Sequence, residues 1–451
     1  MNLYLFIPLL FLLQGIYGYI GKRSAHQLQG EHDYFLAGKS ISFFPLMMTF
    51  LATQVGGGVI LGSADAAYQY GWWVLLYPLG ICLGLIALGL GFGRKLSSFK
   101  VSTVAQILEI VYGSPFLKKI ASLLSIISLF MILAAQFIAS HKFLISVGLT
   151  NPFVFTFFWA IVILYTARGG LRAVISTDIA QATLFSIIFF VCFGFLLYQG
   201  TTPTFTFPSF AFSTSKLTGW LLMPCLYMII EQDMGQRCFA GNSPKTVSKA
   251  AIVSGIATLT VCIVPVAFGI VAKNAGLIIP PGGSTLMTAI IYATNPWFTA
   301  LIGCALLAAI ISTATSLINA ISSNLVQDFD LFRNKPNLRI ARLITLAISI
   351  GAFCIAFYAN DVVNILMQSY GLFVSAFFIP IVIALFKRRG YFLAALLSIL
   401  SGMGGFILFQ IVSLPFPSEI VNIALSLLGY GCGEWITRIQ NKERKQLDSV
   451  T

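Results

Sequence analysis

The sequence predicts an all-α integral membrane protein with about thirteen transmembrane helices, because long apolar stretches alternate with short basic segments along the chain. Only 9% of the 451 residues are charged and 58% are hydrophobic, whereas a soluble globular chain carries about 25% charged residues. So few charges cannot cover a water-facing surface, and so apolar a chain is not disordered. The net charge of +13 is divided among many segments, which argues against a nucleic-acid partner.

A helix needs about 20 apolar residues to cross the hydrocarbon core of a bilayer. The first candidate helix is followed, not preceded, by Lys22 and Arg23 and has no small-residue cleavage site, so we expect it to be retained. The candidate stretches are residues 2–21, 41–70, 72–93, 120–147, 152–168, 174–199, 217–236, 248–273, 296–327, 338–358, 361–386, 390–413 and 416–436.

The basic residues predict the orientation of these helices. With an outside N-terminus, alternate loops hold 24 of the 27 Lys and Arg residues, and the opposite side holds only Lys142, Lys216 and Lys273. Because basic residues concentrate in cytoplasmic loops, we predict a multi-pass protein of the cell (plasma or inner) membrane. Residues 437–451 form a short cytoplasmic tail. We expect contact with membrane lipid and no obligate protein partner.

Two of the predicted helices contain residues that interrupt helices. Gly56, Gly57 and Gly58 lie near the middle of the second stretch, and each glycine costs a helix about 1 kcal/mol. The seventh stretch contains Pro224 and then the polar run 231–233. Interrupted helices in corresponding positions of two halves indicate a transporter binding site. The alternative is that the glycines serve only close helix packing.

The two interrupted stretches enter the membrane from opposite sides. We therefore expect one membrane domain that contains two inverted units of five helices, residues 41–199 and 217–386. Residues 2–21 add one helix before these units, and residues 390–436 add two helices after them.

The ninth stretch offers hydroxyl groups to the interrupted second one. Residues three and four apart share a helix face, so the Ala309 carbonyl lies near the side chains of Ser312 and Thr313. The carbonyls of Ala52 and Val55, beside the glycines, complement them. A hard monovalent cation needs several oxygen ligands, which this set supplies. The alternative is that the hydroxyls only bond back to carbonyls of their own helix.

Several short motifs resemble those of the sodium:solute symporter family. They are Asp33–Ser40 (DYFLAGKS), Tyr165–Val174 (YTARGGLRAV), Thr177–Asp178 and Gln236–Ala240 (QRCFA), and the resemblance extends over residues 31–390. It implies thirteen helices around a five-plus-five inverted-repeat core of the LeuT type. It also implies sodium-coupled import of a solute by alternating access. The family's main sodium site falls on the same set of carbonyls and hydroxyls as the spacing argument.

The resemblance also implies an acidic residue near the inner ion path, here Asp178. In some members of the family this residue joins a second sodium site with hydroxyls that match Thr315 and Ser316. An acidic residue inside a membrane helix is a functional candidate by default. The alternative is an interfacial carboxylate paired with Arg172 or Arg168. One and two sodium ions per cycle both stay open.

The resemblance places the solute next to the interrupted helices, at Gln54, Glu231, Gln232 and Gln368. Gln54 stands where the family's proline carriers have an Asp. Glu231 has three open roles: contact with a cationic or hydroxylated solute, proton movement, or exposure to an outer vestibule. Residues 120–147 lack the Arg that sialate carriers use. The amides predict a neutral or zwitterionic polar solute, with an amino acid slightly favoured over a sugar.

Two other functions stay open. A proton-coupled carrier of the same fold would titrate Asp178 or Glu231. A membrane-embedded transferase would need paired acidic residues that hold a metal. The pair Asp328 and Asp330 is better explained as a helix end beside Arg333, so no catalytic residue is predicted.

Overall fold

The computed structural model describes residues 2–25, 31–198, 203, 213–329, 338–355, 362–387, 389–412 and 416–448. Within these ranges the regular structure is helical, apart from an isolated bridge between Ile41 and Gly241. The all-α prediction is therefore confirmed. Asp330, Arg333 and the side chain of Arg168, which enter the predictions above, lie outside the described part of the chain.

The helices follow one another along the chain with short connections. They are α1 (Leu3–Ala25), α2 (Glu31–Leu36), α3 (Phe43–Gln54), α4 (Ser63–Tyr70), α5 (Leu76–Ala87), α6 (Gly93–Ser98), α7 (Val104–Tyr112), α8 (Pro115–Ser146), α9 (Pro152–Tyr198), α10 (Thr214–Leu217), α11 (Met223–Ile230), α12 (Gln232–Ala240), α13 (Pro244–Asn274), α14 (Thr285–Ala293), α15 (Pro296–Asp328), α16 (Leu338–Ile355), α17 (Val362–Phe386), α18 (Phe392–Ile411) and α19 (Ser418–Asp448).

By length and composition, 8 helical stretches of the described residues suffice to cross a membrane. They are Leu3–Ser24, Gly58–Ser98, Pro115–Ser146, Gly169–Tyr198, Pro244–Asn274, Pro296–Asp328, Val362–Phe386 and Phe392–Ile411. Shorter apolar helices cover Phe43–Gln54, Pro152–Ala167 and Leu343–Cys354. The count of thirteen is not confirmed and stays a prediction, as does the division into two inverted units.

Breaks inside the predicted spans explain part of this difference. The second span consists of α3, non-helical backbone at Val55 and Gly56, a π-helical turn at Gly58–Gly62, and α4. The seventh is divided at Glu231, between α11 and α12. Pro224 does not cause this second break. It follows a π-helical turn, and the chain stays helical on both sides of it, because such a turn accommodates the missing N–H.

Four long helices begin with a polar residue followed by proline. The polar side chain accepts a hydrogen bond from a backbone N–H of the first turn, and proline at the first position sacrifices no helical hydrogen bond. These pairs stand at the start of α8, α9, α13 and α15; they are Ser114-Pro115, Asn151-Pro152, Ser243-Pro244 and Asn295-Pro296. The sequence thus specifies where these four helices start.

Helix α15 lies at the centre of the fold. Of the 18 residues in its most apolar stretch, 94% are buried, whereas the share is 22% for the corresponding stretch of α1 and 33% for that of α18. It packs against α3, α8, α9 and α12, so both interrupted helices contact it. A buried helix that carries many hydroxyl groups needs hydrogen-bond partners for them, and the end of α3 presents the carbonyls of Ala52 and Thr53 to two of these hydroxyls.

Candidate functional site

The main candidate site lies where α3 ends. Val55 has φ −88° and ψ 64°, and its N–H donates to Leu51 O at 3.0 Å. Gly56 then passes so close to α15 that an added Cβ would lie 2.4 Å from Thr313 Oγ1. Only a residue without a side chain allows this approach. The glycine therefore brings the end of α3 against the hydroxyl groups of α15.

Carbonyl and hydroxyl oxygens from the two helices converge at this point. Ser312 Oγ lies 2.9 Å from Ala52 O and 2.8 Å from Ala309 O. Thr313 Oγ1 lies 3.2 Å from Ala52 O, 2.9 Å from Thr53 O and 3.3 Å from Ala309 O. Both side chains are buried. Since each hydroxyl has one proton to donate, these five contacts involve only two hydroxyl protons.

The oxygen lone pairs that receive no hydroxyl proton can coordinate a cation. The carbonyls of Ala52 and Thr53 also belong to the last turn of α3, where the helix dipole is negative. The donor set is composed of uncharged oxygens, which are the ligands of a hard ion. The residues therefore fit sodium.

The structure brings together four of the five residues predicted for the sodium site. Among the described contacts of the two hydroxyls, none is with Val55. Thr53, which sequence reasoning missed, contributes the additional carbonyl. Val55 lies at the break itself, and its N–H donates the last helical hydrogen bond of α3, to Leu51 O.

A buried glutamine of α8 completes the break. The N–H of Gly57, which the interruption frees from the helix, donates to Gln136 Oε1 at 2.7 Å. Gln136 is 2% exposed, and its Nε2 donates to Ile132 O at 3.3 Å. Sequence reasoning missed this residue. The available signal was a single amide in the apolar run 129–139 of α8.

Two of the three residues of the predicted second cation site, Asp178 and Ser316, contact an arginine. Arg237 Nη2 lies 3.6 Å from Asp178 Oδ2 and donates to Ser316 Oγ at 2.6 Å. Its Nη1 pairs with Asp233, and its Nε donates to Thr49 Oγ1 at 3.0 Å. Thr49 in turn donates to Asp178 Oδ2 at 2.5 Å.

This cluster is closed to water. Arg237, Asp178 and Asp233 are all 0% exposed. Asp178 is thus a core residue paired with Arg237, in contrast to the interfacial carboxylate that was the alternative. Thr315, the other predicted ligand, donates to Ser312 O of its own helix at 3.0 Å. A guanidinium therefore lies where a second sodium ion was considered.

A small central cavity lies beside the candidate sodium site. Its volume is about 20 Å³, and it is lined by residues of both interrupted helices, α5, α8, α15 and α17. Gln54 and Glu231 line it, together with Thr313, Gln136 and Tyr370. Two of the four predicted solute residues are thus next to the ion site.

The other two predicted solute residues lie elsewhere. Gln232 caps α7: its Oε1 accepts from Val104 N at 2.7 Å and its Nε2 donates to Ser102 O at 3.3 Å. Gln368 accepts a hydrogen bond from Gln410 at 2.8 Å. It lines a separate vestibule of about 670 Å³, which also contains the ion pair of Lys142 and Asp65.

Substitution of Gly56 by Ala is expected to weaken sodium binding. The added methyl group would lie 2.4 Å from Thr313 Oγ1 and 2.7 Å from Gln136 Oε1, so the end of α3 must move away from α15. Overpacking of this kind costs about 1–3 kcal/mol, which raises the half-saturating sodium concentration of uptake about tenfold or more. The matched control is Gly404→Ala in α18, where an added Cβ meets nothing within 4 Å. Equal sodium dependence of the two variants would contradict this geometry.

Comparison with known proteins shows the family to which this chain belongs. The model of the sodium:solute symporter family matches residues 34–402, and the chain belongs to this family. The sodium/pantothenate symporter of Haemophilus influenzae is 24% identical over 490 residues, which cover 99% of each chain. The human high affinity choline transporter 1 is 32% identical over 181 residues, 38% of this chain and 30% of that protein. The protein is thus a multi-pass membrane transporter, and the transferase alternative is wrong.

Solved structures confirm the LeuT-like fold. A Na⁺-coupled sialic acid symporter in a substrate-bound outward-open state superposes with a TM-score of 0.76 at 17% identity and 96% coverage of both chains. MhsT in complex with L-phenylalanine superposes with a TM-score of 0.57 at 14% identity, over 89% of this chain and 98% of that one.

Proposed function

We propose that this transporter couples the import of a small polar organic solute to the entry of sodium. The observation that carries the proposal is the group of uncharged oxygens at the end of α3 and on α15. In this group the hydroxyls of Ser312 and Thr313 lie within hydrogen-bond distance of three carbonyl oxygens, and each hydroxyl has one proton to donate. Such a group of uncharged oxygens can coordinate a hard cation. Family membership supports sodium as that cation.

The ion links two helices that alternating access has to move apart. Ala52 and Thr53 belong to α3, whereas Ala309, Ser312 and Thr313 belong to α15. Sodium bound from the outside stabilises the state in which the two helices are together, in proportion to its differential affinity for that state. Separation of the helices releases the ion to the cytoplasm. The membrane potential contributes about 2.3 kcal/mol per charge at about 100 mV.

We assign one sodium ion to each cycle. The second predicted site is satisfied by Arg237, which contacts Asp178 and Ser316. A guanidinium and a sodium ion compete for the same carboxylate oxygens, so a second ion would require Arg237 to move. We place the N-terminus outside and the C-terminus in the cytoplasm, as the distribution of basic residues predicts.

The solute is neutral or zwitterionic, with an amino acid favoured over a sugar. The relatives are named for pantothenate, choline and glucose, so the solute class has to be argued from the cavity of this chain. Amides, hydroxyls and one carboxyl group line that cavity, and within the described residues no Lys, Arg or His does. An anionic solute would therefore meet no counter-charge there.

The direct test is uptake into proteoliposomes that contain the purified protein. Uptake of radiolabelled L-proline, L-alanine, choline, glucose and pantothenate is measured with an inward sodium gradient, with potassium in its place, and with a proton gradient. We expect uptake of at least one neutral or zwitterionic compound that requires sodium. Uptake that follows the proton gradient without sodium would contradict the proposal.

Proton coupling on the same fold is the second candidate. The observation that favours it is Glu231, a buried carboxyl group whose Oε2 has no hydrogen-bond partner within the described residues. The sodium-free arm of the uptake experiment, repeated at several values of external pH, distinguishes the two. Proton coupling predicts uptake that rises as external pH falls, whereas sodium coupling predicts none in any sodium-free buffer.

A further inference from the structure

The central cavity contains a carboxyl group that forms no ion pair within the described residues. Glu231 is 3% exposed and lies at the break between α11 and α12. Its Oε2 has no hydrogen-bond partner within the described residues. The ion pairs of the buried Arg237 are with Asp178 and Asp233. Because an unpaired carboxylate is costly in a membrane protein core, a positively charged group beside Glu231 would stabilise its ionised form.

The buried acidic residues around Arg237 and Glu231 outnumber the basic ones, so their charges can be balanced by a further cation. Glu231, Asp178 and Asp233 are acidic, and Arg237 is the basic residue of the cluster. A sodium ion on the α3 and α15 oxygens adds one positive charge. One carboxylate then has no counter-charge, and Glu231 is the carboxylate that lies outside the Arg237 cluster and inside the cavity.

Aromatic rings surround this carboxyl group. Tyr77 and Tyr370 line the cavity with Glu231, and their hydroxyl oxygens lie 3.2 Å apart. Tyr227 packs on Tyr370 with ring centroids 4.6 Å apart. A carboxylate among aromatic rings is suited to an ammonium group, which gains both charge attraction and cation–π contact. Gln54 lines the same cavity, and its Nε2 donates to Met234 Sδ at 3.4 Å.

We propose that Glu231 binds an ammonium group of the transported solute beside Tyr77 and Tyr370, which line the same cavity. The solute class is then a small amine or a zwitterion, and not a sugar or a carboxylate anion. This inference rests on the proposed function and narrows the solute that it carries. The sodium ion and the ammonium group occupy neighbouring positions, with Thr313 lining the same cavity as Glu231.

The test is a thermal-shift titration of the purified full-length protein, first in sodium and then in potassium. The probes are methylammonium, choline, glycine and L-proline, with glycerol, glucose and pantothenate as compounds that lack an ammonium group. We expect at least one ammonium probe to raise the midpoint in sodium. Glu231→Gln is expected to weaken that probe about tenfold or more, because it removes a charged partner, and to leave the stabilisation by sodium itself in place.

Glu434→Gln is the matched control, since Glu434 pairs with Lys387 and Arg438 away from the cavity. The inference is overturned if no ammonium probe stabilises the protein, if only glucose, glycerol or pantothenate does, or if Glu231→Gln binds the ammonium probe as tightly as the wild type. Failure of the proposed function looks different. In that case sodium alone stabilises the wild type no more than potassium, and an ammonium probe that still binds in potassium supports this inference without sodium coupling.

Discussion

Replacement of Ser312 and Thr313 together by Ala is expected to abolish the stimulation of uptake by sodium. Both hydroxyls lie within 3.3 Å of Ala309 O and 3.2 Å of Ala52 O. A hydroxyl that contacts a charged group contributes about 1.5–3 kcal/mol. Loss of both therefore raises the half-saturating sodium concentration about a hundredfold or more. The measurement is initial uptake rate against external sodium at constant ionic strength.

A matched pair on the same helix provides the control. Thr299 and Ser322 also donate to carbonyls four residues earlier, Asn295 O at 2.9 Å and Ile318 O at 2.7 Å, but they lie outside the oxygen cluster. The double variant Thr299→Ala, Ser322→Ala should keep the sodium dependence of the wild type. If the Ser312→Ala, Thr313→Ala protein is folded and still responds to sodium like the wild type, the ion site is assigned to the wrong residues.

Substitution of Arg237 by Met is expected to have the largest effect on stability. The guanidinium has contacts with Asp178, Asp233, Thr49 and Ser316, and it is 0% exposed. Removal of one member of a buried ion cluster costs about 3–5 kcal/mol, because the remaining charges have no partner. We expect poor recovery of folded protein and a much lower melting temperature in detergent.

A second variant distinguishes whether Arg237→Met destabilises the protein through unbalanced charges or through lost packing. In the triple variant Arg237→Met, Asp178→Asn, Asp233→Asn the acidic partners are neutral, so no uncompensated carboxylate is left in the cluster. This variant should recover most of the melting temperature that Arg237→Met loses. A single variant as stable as the wild type, or a triple variant no better than the single one, would contradict the role given to the cluster.

The arrangement of oxygens at the proposed ion site was largely predictable because it depends on local spacing. Ser312 and Thr313 follow Ala309 by three and four residues, which places them on one face of α15, and the glycines mark where carbonyls are freed. The exact carbonyl was not predictable. Whether Thr53 or Val55 faces α15 depends on the backbone angles of the break, which take φ −88° and ψ 64° at Val55.

Contacts between distant segments account for most of what the sequence did not reveal. The basic residues near Asp178 in sequence are Arg168 and Arg172, which made them its predicted partners. In the fold, Arg237 of α12 is the partner of Asp178. Gln232 was grouped with Glu231 because they are adjacent. The break at Glu231 starts a new helix whose first residue faces α7, so neighbours in sequence have different surroundings.

The most direct test of the account is the binding of radioactive sodium to the purified protein without any solute. The account predicts saturable binding of one ion per chain that unlabelled sodium displaces and potassium does not. It also predicts that Ser312→Ala, Thr313→Ala removes this binding while Thr299→Ala, Ser322→Ala keeps it. Saturable sodium binding of undiminished affinity in the folded Ser312→Ala, Thr313→Ala protein would contradict it, as would the absence of sodium binding in the wild type.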